Sequence, residues 1–165
     1  MRSEKRRSQW LAVRALLKRL PHSECEVVYN HHGKPALSNN RCQLSITHSG
    51  AMVAVQLSTG KYCGIDIQTI SQKIERLAEK FIHPKEYAFI PADKKIEYLN
   101  LIWTMKEAVF KHFGSDLEFR RQIRIQPFVL DRENSGTALV ETLNSKHEVG
   151  LKWVRIDDYF LTYLE

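Results

Sequence analysis

Cysteine is scarce in this 165-residue chain, which has three, Cys25, Cys42 and Cys63, and no CxxC spacing. An odd and scattered set argues against a disulfide framework or a thiolate zinc site and predicts reduced, partly buried thiols. Long apolar runs are also lacking. The longest, Ala51 to Val55, falls far short of the roughly 20 residues that cross a bilayer, so no membrane span or membrane partner is expected. No secretory leader is expected either, because Arg14, Lys18 and Arg19 interrupt the apolar stretch of the basic N-terminus. These absences predict a cytoplasmic protein. Low-complexity linkers and sequence repeats are missing too, which leaves one domain or two small fused lobes.

What the chain does have is a hydrophobic content of 43% and a formal charge of +6, with a pI near 9.3. The first is enough for a core. The second suggests an anionic partner: nucleic acid, a phosphorylated small molecule or an acidic protein. No helix-turn-helix, zinc-finger or RNA-binding aromatic signature accompanies the basic residues, so nucleic acid is not the expected partner.

Apolar periodicity predicts an alternation of helices and strands. "SEKRRSQWLAVRALLKRL" reads as a helix that buries Trp10, Val13, Leu17 and Leu20, with Arg7, Arg14 and Lys18 along an adjoining stripe. "CEVVYN" reads as a strand and "HHGKPAL" as a turn-forming loop. "CQLSITHS" and "MVAVQLS" read as a hairpin turning near Ser49-Gly50, with "KYCGIDIQ" as a third β-type run. A charged amphipathic helix is expected from about Ser71 to Lys80. His83-Pro84 then ends it and starts another short helix, and residues 96–113 form the strongest helix of all. The rest, through "FRRQIRIQPFVL", "TALVETL", "EVGLKWVRI" and "YFLTYLE", alternates as a second antiparallel sheet should.

Chemistry concentrates in four places. In "GIDIQ" the strand period sends Ile65 and Ile67 to one face and Asp66 and Gln68 to the other, either as an edge strand wetting two polar residues or as a pair of oxygen ligands. In "WTMKEAVFKHF" the i, i+4 rule aligns Trp103, Glu107 and Lys111. An exposed Glu107–Lys111 pair would contribute only about 0.3–0.5 kcal/mol, yet Trp103 and Phe110 place Glu107 near the core boundary, where a carboxylate needs a cation or a metal. "SITHSG" turns Ser45, Thr47 and Ser49 to one face and Ile46 and His48 to the other; His48 is a structural residue or a donor to phosphate. In "HHGKP", Gly33, Lys34 and Pro35 form a plain turn or a place where a ligand approaches the backbone.

Together, and in this order, a first-helix arginine, GKP, T-H-S, GID and W-x-x-K-E-A-x-x-K resemble the 4′-phosphopantetheinyl transferases of the monomeric surfactin-synthetase type, from about Arg7 to Gly114. The resemblance implies an α+β fold of two similar lobes, with antiparallel sheets and packed helices, related by a pseudo-two-fold axis. Lobe one would cover about residues 1–65 and lobe two about 66–165 of a single domain. It implies transfer of the phosphopantetheine arm of coenzyme A to a serine of an apo carrier protein, with Mg²⁺, releasing adenosine 3′,5′-bisphosphate. Asp66 and Glu107 match the metal-binding acids, with Gln68 at the position of a third. Glu107 is also the implied base. Lys111 matches the lysine on the pyrophosphate, His48 with Thr47 the pair contacting the coenzyme A phosphates, and Lys34-Pro35 the segment beside adenine. Arg14 matches the first-helix arginine that helps hold the 3′-phosphate, with Arg7 and Lys18 assisting.

Two departures carry expectations of their own. Gln68 stands where many members have an acid, which lowers the negative charge of the site. Typical relatives also begin several tens of residues earlier, so the first lobe is expected to be abbreviated. A monomer is expected, with dimerisation through that lobe as the alternative. Lys73, Arg76, Lys80 and Lys85 are the expected contact for an acidic carrier protein. A catalytically silent relative that binds coenzyme A or a carrier protein is the competing function.

Overall fold

The computed structural model describes residues 4–20, 26–31, 33–39, 41–114 and 117–165; Cys25 and Ser115 lie outside them. Helix α1 (Glu4–Leu17) is followed by two antiparallel hairpins, β1 (Val27–Tyr29) with β2 (Pro35–Leu37), and β3 (Gln43–Ser49) with β4 (Met52–Ser58). Strand β5 (Ile65–Thr69) leaves the hairpins and joins β6 (Ile123–Ile125), β7 (Ser135–Glu141), β8 (Lys146–Ile156) and β9 (Tyr159–Leu164). These five form one antiparallel sheet in the order β5-β9-β8-β7-β6. Between β5 and β6 lie α2 (Ala78–Phe81), α3 (Lys95–Phe113) and α4 (Phe119–Gln122). The architecture is α+β, with antiparallel sheets, packed helices and the smaller sheets at the N-terminal end.

The core lies between α3 and the five-stranded sheet. Leu99, Ile102, Met105, Ala108 and Val109 recur at helical spacing and are fully buried, as are Ile123, Ala138, Val140, Val149 and Leu151 on the sheet. Each large aliphatic side chain buried there contributes about 1.5–3 kcal/mol. Gly114 ends α3 at φ 99°, in the left-handed region, and donates its N–H to Phe110 O at 2.8 Å.

One border explains how β5 can serve two layers. Its 66 and 68 positions face β9 through the backbone ladder, which leaves the N–H groups of 65, 67 and 69 pointing the other way. Ser45 Oγ, Thr47 Oγ1 and Ser49 Oγ of β3 accept them at 3.1, 3.3 and 3.2 Å. The constant offset of the three pairs means that β3 runs parallel to β5, joined by hydroxyls where a continuous sheet would use carbonyls. Edge donors are thereby satisfied without merging the sheets.

Three segments differ from the sequence reading. The stretch after Ser71 is a 3-10 helix, Gln72–Leu77, that runs into the single turn of α2. It is tethered to α3 at both ends, by Asn100 on the Ser71 backbone and by Lys106 on Phe81 O, and a 3-10 helix, with about 2.0 Å of rise per residue, spans more length than an α-helix. Trp10 is 43% exposed: of the four expected core positions only Val13 is buried, and Leu20 lies past the end of α1. The Trp10 ring instead lies under the Arg14 guanidinium, 3.2 Å from the ring centroid. "FRRQ" forms α4, so the strand expected there shortens to Ile123–Ile125.

Candidate active site

Glycine decides where β5 meets α3. A Cβ on Gly64 would lie 2.1 Å from Ala108 O, so only glycine permits this approach. The residue after next, Asp66, is consequently carried under the helix and is 2% exposed. Its Oδ1 accepts from Thr47 Oγ1 at 2.8 Å and from Lys111 Nζ at 2.6 Å, and its Oδ2 accepts from Gln68 Nε2 at 2.8 Å. Lys111 Nζ also donates to Ile65 O at 3.0 Å. The lysine of the helical motif thus pairs with the strand acid, and the i, i+4 pair with Glu107 does not form.

Glu107, half-buried one turn before Lys111, accepts no hydrogen bond from the described residues. Burial pushes its carboxyl up to about 7, the charge of Asp66 adds to the rise, and Lys111 offsets part of it. A strand acid and a helix acid therefore share one locale with a single lysine between them.

The remaining expected residues divide. The tip of the first hairpin docks on the end of α3: Gly33 turns at φ 77°, and Lys34 Nζ donates to His112 O at 2.8 Å. This encloses a pocket of about 490 Å³ lined by Gly33, Lys34, Pro35, Ile46, Phe110 and Lys111, a size that holds a small organic ligand. His48 is exposed on the Ile46 face of β3. Thr47 is 4% exposed, with its hydroxyl committed to Asp66 and the Ile67 N–H. Arg7 and Arg14 lie on α1, which packs against β4, and Lys18 lies in the turn just after it; none of them lines the pocket beside Lys111.

Sequence reasoning missed the Gly64–Ala108 contact and a fully buried ion pair. Lys106 Nζ donates to Glu86 Oε2 at 2.8 Å, Phe81 O at 2.7 Å and Phe119 O at 3.1 Å, while Glu86 accepts the N–H groups of His83 and Ile125 at 2.7 Å. Burial pulls the Lys106 ammonium down to about 8 despite Glu86. The capping box His83-x-x-Glu86 was the available signal for half of this arrangement.

Among the described residues no cluster of three or more Asp, Glu, His or Cys side chains could hold a metal. Two carboxylates with an adjacent amide oxygen still suit an ion such as Mg²⁺, which takes one or two protein carboxylates and completes its shell from phosphates and water. No helix among the described residues is long and apolar enough to cross a membrane.

An α+β protein with an acid pair on a strand and a helix, beside a lysine and a ligand-sized pocket, has the outline of a divalent-cation and phosphate site. Comparison with known proteins makes that class specific. The 4′-phosphopantetheinyl transferase superfamily matches residues 62–164. The chain is 35% identical over 115 residues to the 4′-phosphopantetheinyl transferase AcpT of Escherichia coli, covering 66% of this chain and 59% of that protein. It is 36% identical to AcpT of Salmonella typhimurium over 115 residues, or 66% and 60%, and 28% identical to the 4′-phosphopantetheinyl transferase gsp of Aneurinibacillus migulanus over 123 residues, or 73% and 49%. The chain belongs to the 4′-phosphopantetheinyl transferase superfamily, and it spans about three-fifths of the length of its AcpT relatives.

Proposed function

We propose that this chain, as one two-lobed domain divided near residue 65, transfers the 4′-phosphopantetheine arm of coenzyme A to a serine of an acidic apo carrier protein in the cytoplasm. It acts as a monomer. The observation that carries this reading is the acid pair: Glu107, unpaired and pushed up to about 7, beside the buried Asp66 and the Lys111 pocket.

Asp66 and Glu107 would hold Mg²⁺, with Gln68 or water at the third position, and the ion supplies Lewis-acid neutralisation of the diphosphate charge. Glu107 takes the serine proton, directly or through one water. The serine oxygen bonds to the phosphorus that bears the pantetheine arm. The bond from that phosphorus to the bridging oxygen breaks, and adenosine 3′,5′-bisphosphate leaves. Lys111 neutralises the diphosphate from the pocket wall, His48 approaches it from the rim of β3, and Lys34-Pro35 flanks the adenine. Arg14 of α1, assisted by Arg7 and by Lys18 in the turn after the helix, reaches the 3′-phosphate. The exposed Lys73, Arg76, Lys80 and Lys85 meet the acidic face of the carrier.

The test is mass spectrometry of an apo carrier protein incubated with the chain, coenzyme A and Mg²⁺. A pantetheine mass increment is expected, lost with a chelator and lost in Glu107→Gln. A carrier of unchanged mass across several carrier classes ends the proposal.

A further inference from the structure

Thr162 carries the one buried side-chain nitrogen or oxygen, among the described residues, that has no hydrogen-bond partner. It is fully buried in β9. The antiparallel register sets it directly opposite Asp66 on one side and Trp153 on the other, so the hydroxyl projects from the same face as the Asp66 carboxylate and lies within a side chain's reach of it. Asp66 leans away from it, toward Thr47 and Lys111. Phe160 and Leu164, two residues to either side of Thr162 on the same face, are both buried and apolar, so no other polar group adjoins it along its own strand.

A buried hydroxyl without a partner is costly, and valine would fill the same volume without that cost. Lone departures of this kind gather at functional sites. The arrangement has a chemical reading. Lys111 occupies Asp66 Oδ1 as a built-in counter-cation, and a divalent ion arriving at the acid pair repels that ammonium. Asp66 then loses a donor and needs another to hold its orientation.

We infer that Thr162 is a positioning residue for Asp66, its hydroxyl supplying the hydrogen bond, direct or through one water, that the carboxylate takes up once a divalent cation has replaced Lys111. This rests on the reading of Asp66 and Glu107 as the metal-binding pair. Supporting groups of this kind change metal affinity without touching the ion.

The experiment uses the full chain without coenzyme A. Mn²⁺ affinity is read by electron paramagnetic resonance and calorimetry, and thermal stability is read in chelator. Thr162→Val should melt at the wild-type temperature or above it, because no existing bond is lost, while binding Mn²⁺ about tenfold more weakly. Thr162→Ser should restore the affinity. Equal Mn²⁺ binding by wild type and Thr162→Val overturns the inference while leaving the acid pair as the metal site. A Thr162→Val protein that melts lower in chelator, or fails to fold, overturns it as well, since the hydroxyl is then structural. A wild-type chain that binds neither Mn²⁺ nor Mg²⁺ brings down the functional reading and this inference with it.

Discussion

Glu107 sets the sign of a pH effect. Its carboxyl ionises at about 7 in the folded chain against 4.5 for the ordinary side chain. A raised value means that the protonated form is favoured by folding. The stability it gives is therefore full below about pH 4.5 and is lost as pH rises through about 7. In metal-free buffer, Glu107→Gln should melt with wild type at pH 5 and increasingly above it toward pH 8; calorimetry across that range checks this, and parallel curves would refute it. Gln68 gives a second prediction. Its amide now donates to Asp66 Oδ2, and a carboxylate there could not. Gln68→Glu should lower metal-free stability and also lower the Mg²⁺ concentration needed for half-maximal transfer, measured by titration. Asp66 and Glu107 were singled out by the resemblance of GID and W-x-x-K-E-A to the family's motifs, while strand and helix periods alone left each with an ordinary structural reading. Gln68 as a donor was not legible, because its partner is chosen by the geometry of a site that exists only after folding. The bond from Thr47 to Asp66 was hidden in the same way: alternation gave the face of Thr47, but not what that face meets.

Among the elements, α3 was the easiest to read, with 19 residues of regular apolar spacing and a glycine after its last turn. What organises its surroundings was hidden. Lys106 ties the end of α2, the capping glutamate Glu86 and the start of α4 to one turn of α3, and each partner is distant in the chain. Removing one member of a fully buried pair strands the other, at a cost of about 3–5 kcal/mol. Lys106→Met should show a loss of that order in urea unfolding, and adding Glu86→Gln should recover part of it. If the single variant unfolds with wild type, the pair is structurally idle. The amphipathic helix expected from about Ser71 to Lys80 divides into a 3-10 stretch and α2 for the same reason: Ile74, Ala78 and Phe81 have helical spacing, and the tethers at the two ends have no local signature.

Over the full chain, the net charge of +6 divides among separate surfaces. Lys34 and Lys111 face the pocket, Arg14 lies against Trp10, and Lys73, Arg76, Lys80 and Lys85 stay in solvent between the two acid motifs. Reversing Arg76 and Lys80 to glutamate should raise the KM for carrier protein more than tenfold on the scale of buried and rim charge pairs, while coenzyme A binding by calorimetry changes little; equal loss of both would reject the assignment. Composition alone suggested an anionic partner without a location, and the fold divides the cations among separate elements, which a tally of charges could not do.

The hydroxyl-lined border between β3 and β5 has a mechanical consequence. Amide ladders hold two strands in one fixed alignment, whereas Ser45, Thr47 and Ser49 can each pivot about a single bond while keeping contact with the N–H they serve. The N-terminal hairpins are thus joined to the larger sheet by side chains, with Gln56, on the far strand of the second hairpin, bridging to Gly64 N–H and Leu164 O, and the middle hydroxyl of the border, Thr47, is also fastened to Asp66, so that a substitution at this border is felt by the acid as well as by the strands.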